Sequence, residues 1–145
     1  EIGVAAGTPA PTFTGKDSKG EEISLANMKG NVVVLEFFGT MFKASNIGSL
    51  DIQSMSTGEF KDKGVKFIGM ACREPNDSAA VEYFKNNGLT YTLVPKGDAA
   101  VSEFKIKGFP SYVVINGSGN VTSFFQTWPG KDVMASAINQ ALEGK

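Results

Sequence analysis

The sequence predicts an α/β fold with a mixed β-sheet, and three observations lead to this prediction. Residues 32–38 and 65–71 are apolar almost throughout, which is typical of central strands covered on both faces. Segments with a helical spacing of apolar residues alternate with these strands. The chain then closes on two strand-like segments around the turn 116–120, a strong hairpin signal, and on one more helical segment.

Local signals give the individual elements in chain order. Residues 7–20 are rich in Gly, Pro, Thr and Lys and are expected to form a loop with one short strand at 12–14. The other expected strands are 22–25, 32–38, 65–71, 89–94, 111–115 and 121–125. The expected helices are 43–61, 77–87, 98–105 and 132–142. Asp77 or Ser78 can cap the second of these helices.

Length and charge restrict the classes of protein that this chain can belong to. Its 145 residues are the usual size of one domain, and 41% of them are hydrophobic, which is enough for a folded core. The formal net charge is -1, and Arg73 is the single arginine, so no nucleic-acid partner is expected. No apolar run is long enough to cross a bilayer. Any membrane anchor or export signal is expected outside these residues.

The counts of histidine and cysteine exclude several kinds of chemistry. The chain has no His, which excludes a Ser-His-Asp triad, a Cys-His pair and a His-ligated metal site. It has one Cys, Cys72, which excludes an internal disulfide, a CxxC redox pair and a Cys-rich metal site. We therefore expect neither a metal nor another cofactor.

Five segments, taken in order, resemble a known family. They are spread over most of the chain, from residue 7 to residue 119, and comprise residues 7–13, 20–25, 29–41, 64–69 and 108–119. Together they resemble the redoxin (AhpC/TSA-like) branch of the thioredoxin-like superfamily, and in particular the TlpA- and ResA-type thiol–disulfide oxidoreductases. The resemblance implies one thioredoxin-like domain over residues 1–145. Its implied fold is a three-layer α/β/α arrangement around a central mixed sheet, with a short N-terminal hairpin extension.

The resemblance fails at the residues that carry the family's chemistry. The family has a CxxC motif directly after the first long strand, and here those positions hold Phe42-Lys43-Ala44-Ser45. Phe42 stands at the place of the nucleophilic Cys and Ser45 at the place of the resolving Cys. Thiol–disulfide exchange needs a thiolate, which neither side chain can supply. A Cys-to-Ser change is an ordinary trapping substitution, but a Phe at position 42 is not, so both residues are taken as native.

The surroundings of the missing motif match the family better. Glu36 corresponds to the buried acid beneath the CxxC, to which the resemblance assigns a proton-transfer role; otherwise it is a strand carboxylate satisfied by a neighbour. Pro110 corresponds to the family's cis-proline, and Phe109 would then present its backbone to an extended substrate. Met41, Phe42 and Phe109 would surround the former active site. Trp128 precedes the last helix and is expected to contribute packing.

Cys72 has two interpretations. It could be a reactive thiol assisted by Arg73, or a handle for an intermolecular disulfide. It could equally be a small, partly buried residue at the end of a strand, as cysteines often are. The resemblance gives no support for peroxide reduction here, because the cysteine of peroxiredoxins lies near the position of Phe42.

Three hypotheses for function follow. The first is a thioredoxin-like protein without redox catalysis that binds a protein or peptide segment in a groove lined by Met41, Phe42, Ser45, Phe109 and Pro110. The second is residual oxidoreductase or peroxidase activity that uses the lone Cys72. The third is a purely structural interaction domain within a larger assembly. The resemblance also implies a place outside the bacterial cytoplasm, either periplasmic or tethered to a membrane.

Overall fold

The computed structural model describes residues 3–144 and contains two β-sheets and three α-helices. An antiparallel hairpin of β1 (Thr14–Lys16) and β2 (Glu22–Ser24) precedes the main sheet. The other elements are β3 (Val33–Phe38), α1 (Ser45–Thr57), β4 (Lys66–Ala71), α2 (Asp77–Asn86), β5 (Thr92–Val94), β6 (Ser111–Ile115), β7 (Val121–Gln126) and α3 (Lys131–Gly144). Single 3-10 turns span Leu25–Met28 and Gly97–Ala100.

The main sheet has the strand order β5-β4-β3-β6-β7. β3 pairs in parallel with β4, and β4 pairs in parallel with β5. β6 runs antiparallel to both β3 and β7. Every residue of β3 is buried, which is why this strand has a nearly continuous apolar sequence. The predicted mixed sheet is therefore present, and its central strand ends beside the beginning of α1.

Side-chain alternation divides β3 between two cores. Val34 and Phe38 face the side of the sheet that α1, α2 and α3 cover. Leu35 faces the other side, where it lies in one cluster with Phe13 and Phe104 from the N-terminal segment and the loop after β5. The structure thus has helices on one face and the hairpin with its neighbouring turns on the other.

Two of the predicted helices are shorter than expected. The first ends at Thr57 because Gly58 interrupts it, and the amide of Phe60 then bonds to the carbonyl of Met55, which turns the buried Phe60 ring back into the core. The helix expected at 98–105 is wrong in type: only the 3-10 turn Gly97–Ala100 forms, followed by separate turns up to Lys105. Lys105 is left-handed, with φ of 55°, which ends any helix there.

The remaining differences from the prediction are small. β1 begins at Thr14, so the strand expected at 12–14 is displaced toward the hairpin turn. The cap of α2 is Asn76, whose side-chain oxygen accepts hydrogen bonds from the backbone amides of Ser78 and Ala79. Within residues 3–144, no helix combines the length and apolarity needed to cross a membrane.

Candidate functional site

The segment between β3 and α1 is held in place by a carboxylate from the loop after β4. The backbone amide of Thr40 donates a 2.7 Å hydrogen bond to one oxygen of Glu74, and the Thr40 hydroxyl bonds to the other oxygen. Gly39 lets the chain turn tightly here, since a methyl group at this position would lie 2.6 Å from the Phe42 ring. The ring of Phe42 is therefore packed back against the end of β3.

Phe42 stacks on Phe109, the residue before the cis Phe109–Pro110 peptide bond. The two ring centroids are 5.4 Å apart and the ring planes differ by 15°. Arg73, at the end of β4, places its guanidinium carbon 5.4 Å from the centroid of the Phe109 ring. Phe42 and Phe109 are each half-buried, whereas Met41 is 67% exposed. An aromatic pair therefore occupies the position at which the resemblance places the nucleophilic Cys.

Ser45 and Pro110 lie beneath this surface and not on it. Both are buried, and the Ser45 amide donates to the carbonyl of Phe42 in the turn that leads into α1. The expectation that these two residues line a binding groove is therefore corrected, because a partner can reach Met41, Phe42 and Phe109 but not the side chains of Ser45 and Pro110. The hydroxyl of Ser45 has no hydrogen-bond partner among residues 3–144.

Glu36 is fully buried under α1 and accepts two hydrogen bonds. Ser49, four residues after Ser45 on the inner face of α1, donates its hydroxyl at 2.6 Å, and Tyr91, just before β5, donates at 2.7 Å. Burial is the dominant influence and raises the pKa of Glu36 from 4.5 to about 7, although both hydrogen bonds oppose the shift. The expected buried acid is thus present, and its hydrogen-bonding demand is satisfied by neutral hydroxyl groups.

Tyr112 lies beside Glu36 because the antiparallel register of β3 and β6 makes these two residues direct partners. Its hydroxyl presses against Gly48 and has no hydrogen-bond partner in the described part of the chain. Trp128 packs edge-on against the Tyr112 ring, at 5.0 Å between centroids, and donates its indole N–H to Asp51 at 2.8 Å. Trp128 contributes packing to the core here, as expected.

Cys72 is enclosed between β4 and the loop that follows it. Its thiol is fully buried and lies 3.4 Å from the carbonyl oxygen of Met70. Burial raises the pKa of this thiol far above its ordinary value, and the carboxylates of Asp98 and Glu74 act in the same direction. Arg73 opposes these effects only weakly, since its guanidinium points to Phe109. The geometry favours the structural interpretation of Cys72.

Sequence reasoning missed Ser49, Tyr91 and Tyr112 as neighbours of Glu36. Ser49 could have been found, because it follows Ser45 by one helical turn. Tyr91 is separated from Glu36 by 55 residues, and only the path of the chain brings the two together. Among residues 3–144, no group of three or more Cys, Asp or Glu side chains is arranged to hold a metal ion.

Comparisons with known proteins agree with this architecture. A model of the AhpC/TSA family matches residues 6–124. The chain belongs to the AhpC/TSA family. The thiol-disulfide oxidoreductase ResA of Halalkalibacterium halodurans is 28% identical over 117 residues, which are 80% of this chain and 65% of that protein. The ResA of Bacillus anthracis is 28% identical over 139 residues, which are 95% of this chain and 75% of the relative.

A solved structure shows the same fold. The thiol:disulfide interchange protein of the thioredoxin family from Chlorobium tepidum TLS has 26% sequence identity and a TM-score of 0.84, over 96% of this chain and 99% of that chain. This AhpC/TSA-family chain therefore has a thioredoxin-like fold and is related to thiol–disulfide oxidoreductases. It spans only part of its ResA relatives and contains one Cys in 145 residues.

Proposed function

We propose that this AhpC/TSA-family protein binds an extended segment of a partner protein and does not catalyse disulfide exchange. The observation that carries the proposal is the stack of Phe42 on Phe109, which fills the position of the family's nucleophile with a second aromatic ring. A phenyl group cannot attack a sulfur atom, but it provides an apolar contact surface. The proposed partner lies across Met41, Phe42 and Phe109.

The position of the single sulfur-bearing thiol supports the proposed absence of redox catalysis. Disulfide exchange requires an accessible thiolate that attacks one sulfur of the substrate. The thiol of Cys72 is fully buried, and its raised pKa keeps it protonated at neutral pH. The alternative function through Cys72 therefore has no support from the geometry of this residue.

Binding of an extended segment is supported by the backbone of Phe109. Its N–H and C=O groups form no hydrogen bond with any residue in the described part of the chain. Polar backbone groups beside a half-buried apolar surface are suited to pairing with another extended chain, because that pairing satisfies both groups while side chains contact the surface. The partner would add one short antiparallel or parallel strand segment at this position.

The apolar character of the neighbouring surface also supports binding. Three large apolar side chains between β3 and the middle of α1 are well exposed: Met41 (67%), Ile47 (66%) and Leu50 (50%). Methionine is flexible and adapts to different apolar partners. Exposed apolar side chains concentrated in one segment are more typical of a contact surface than of an ordinary protein exterior.

The proposed location is outside the bacterial cytoplasm. The resemblance to ResA-type proteins, which work there, supports this location. Fractionation of cells that carry the full-length gene product, with detection in the extracytoplasmic fraction, is the direct measurement. Recovery in the cytoplasmic fraction would contradict this part of the proposal.

A peptide-binding experiment with matched variants tests the proposed function. Binding to an array of short peptides is measured for the wild type, Phe42→Asp, Phe109→Asp and Val133→Asp. Val133 is an exposed apolar residue on α3 (49%) and serves as the control for adding one charge to the surface. We expect that peptides bound by the wild type are also bound by Val133→Asp and are lost in the two Phe variants. Unchanged binding in both Phe variants would refute the proposal.

A further inference from the structure

Arg73 adopts a backbone conformation that is unusual for its residue type. It is left-handed, with φ of 59°, although it carries a long side chain and directly follows the buried Cys72. Both carboxylate oxygens of Asp98 accept a hydrogen bond from the Arg73 amide, each at 3.1 Å. Asp98 thus holds the backbone in this conformation, which directs the exposed side chain across the surface toward Phe109.

The guanidinium of Arg73 is held over the Phe109 ring and forms no ion pair with the described residues. It lies over the Phe109 ring, with 5.4 Å from Cζ to the ring centroid, and no carboxylate from residue 3 to residue 144 lies within ion-pair distance of it. Two acids near Arg73, Glu74 and Asp98, already accept other hydrogen bonds. Glu74 binds Thr40, and Asp98 binds the Arg73 amide.

A second cation lies on the same surface. Lys43 is exposed, directly follows Phe42 and forms no ion pair within the described residues. The buried acid of the site, Glu36, is enclosed beneath α1 and bound by two hydroxyl groups. Two cations, Arg73 and Lys43, therefore lie beside the stacked pair of Phe42 and Phe109. The carboxylates of Glu74 and Asp98 lie near Arg73 as well, but they are bound by Thr40 and by the Arg73 amide, so the guanidinium edge of Arg73 is the group available to an acidic partner.

We propose that Arg73 recognises a carboxylate, so that the segment bound across Phe42 and Phe109 is apolar and carries an Asp or Glu side chain. This inference rests on the proposed function and specifies its partner. A guanidinium held over the face of an aromatic ring keeps N–H groups available for a bidentate pair with a carboxylate, and this contact reduces the motion lost when the pair forms. Lys43 contributes a weaker, less directional attraction.

The test begins with selection from a library of random short peptides on the wild-type protein. We expect the selected peptides to combine apolar residues with at least one acid. The dissociation constant of one selected peptide is then compared with that of the same peptide in which each acid is replaced by its amide. The wild type should bind the acidic form about tenfold more tightly, as charge-assisted hydrogen bonds of this kind allow.

Four variants test whether Arg73 is the residue that recognises the acidic side chain. In Arg73→Gln the preference for the acidic peptide should fall to about twofold or less, and Arg73→Lys should restore part of it, because charge returns without the planar group. Lys96→Gln removes a positive charge elsewhere, in an exposed pair with Asp77, and should keep the full preference. Phe42→Asp should abolish binding of both peptide forms. Thermal unfolding of each variant shows whether it is folded.

The outcomes separate this inference from the proposed function. Peptides that bind through Phe42 but show no acidic preference, or a preference that Arg73→Gln leaves intact, overturn the role of Arg73 and leave the proposed function standing. If no peptide binds in a way that depends on Phe42, both fail. If Arg73→Gln is unfolded, the role of Arg73 is decided by comparing Arg73→Lys with the wild type. A preference for the acidic peptide that is undiminished in Arg73→Lys contradicts the proposed bidentate pair.

Discussion

The ring of Phe42 stacks on the ring of Phe109 at 5.4 Å between centroids, and this contact joins the turn before α1 to the loop before β6. The guanidinium of Arg73 lies over one of the two rings. At the position where the resemblance places the nucleophilic Cys, this chain therefore has an aromatic pair and no thiol.

The stack should contribute a measurable coupling to stability. We expect the single variants Phe42→Ala and Phe109→Ala to lower the free energy of unfolding, and the double variant to lose less than the sum of the two. The coupling energy should be about 0.5–1.5 kcal/mol, the usual range for an aromatic pair. Urea unfolding of the four proteins measures it. Strict additivity would mean that the rings do not interact in solution.

The buried Glu36 should make stability fall as the pH rises. Its pKa is raised from 4.5 to about 7 in the folded protein, so the protonated form is favoured by folding. The contribution of this group is complete below about pH 4.5 and is lost as the pH rises through about 7. Glu36→Gln removes this dependence.

The measurement is the difference in unfolding free energy between Glu36→Gln and the wild type. Between about pH 4 and about pH 8 this difference should grow in favour of the variant by about 3 kcal/mol. Glu82→Gln, at an exposed position on α2, is the control and should show no such trend. A difference that is independent of pH would contradict the burial of an ionisable Glu36.

Glycine should be required at position 48 because the Tyr112 side chain lies against it, and not because of the helix conformation. A methyl group at Gly48 would overlap the hydroxyl of the fully buried Tyr112, which cannot move away. Gly48→Ala should therefore destabilise the protein by about 1–3 kcal/mol, although alanine is the better helix former. In a Tyr112→Phe background the same change should cost less, because the overlapping oxygen is gone. Equal costs in both backgrounds would place the clash elsewhere.

Restoring the two cysteines should restore redox activity. The wild type and Cys72→Ala should both reduce insulin at background level. The double variant Phe42→Cys with Ser45→Cys should exceed that background at least about tenfold, because position 42 is partly exposed in the turn that leads into α1, and a nearby helix N-terminus lowers a thiol's pKa. A double variant that is folded but inactive would show that the surrounding frame has also lost its catalytic geometry.

Much of this architecture could be predicted from residues close together in sequence. The apolar run at 32–38 predicted β3 because that strand is buried on both faces. The helix expected at 98–105 was wrong, since only the 3-10 turn Gly97–Ala100 forms beside the backbone of β4 and the left-handed Lys105 ends the turns that follow. Tertiary contact overrode local preference there.

Some residues of the candidate site could likewise be predicted from the sequence, and others could not. The family resemblance predicted Glu36, Phe42 and Pro110, because each lies within a matching segment or directly after one. The roles of Tyr91 and Arg73 could not be predicted, because one depends on a contact 55 residues away and the other on a left-handed backbone held by Asp98. Neither condition leaves a pattern in the neighbouring sequence.

Pairing of an extended segment with the backbone of Phe109, over the ring of Phe42, is tested most directly on the Phe109 amide. Its chemical shift and its hydrogen exchange are measured during titration with a peptide selected on the wild-type protein. We expect the Phe109 amide to shift with the same affinity as the peptide binds, and its exchange to slow by about tenfold or more as it becomes hydrogen-bonded. A peptide that binds while the Phe109 amide keeps its shift and its exchange rate would contradict this pairing.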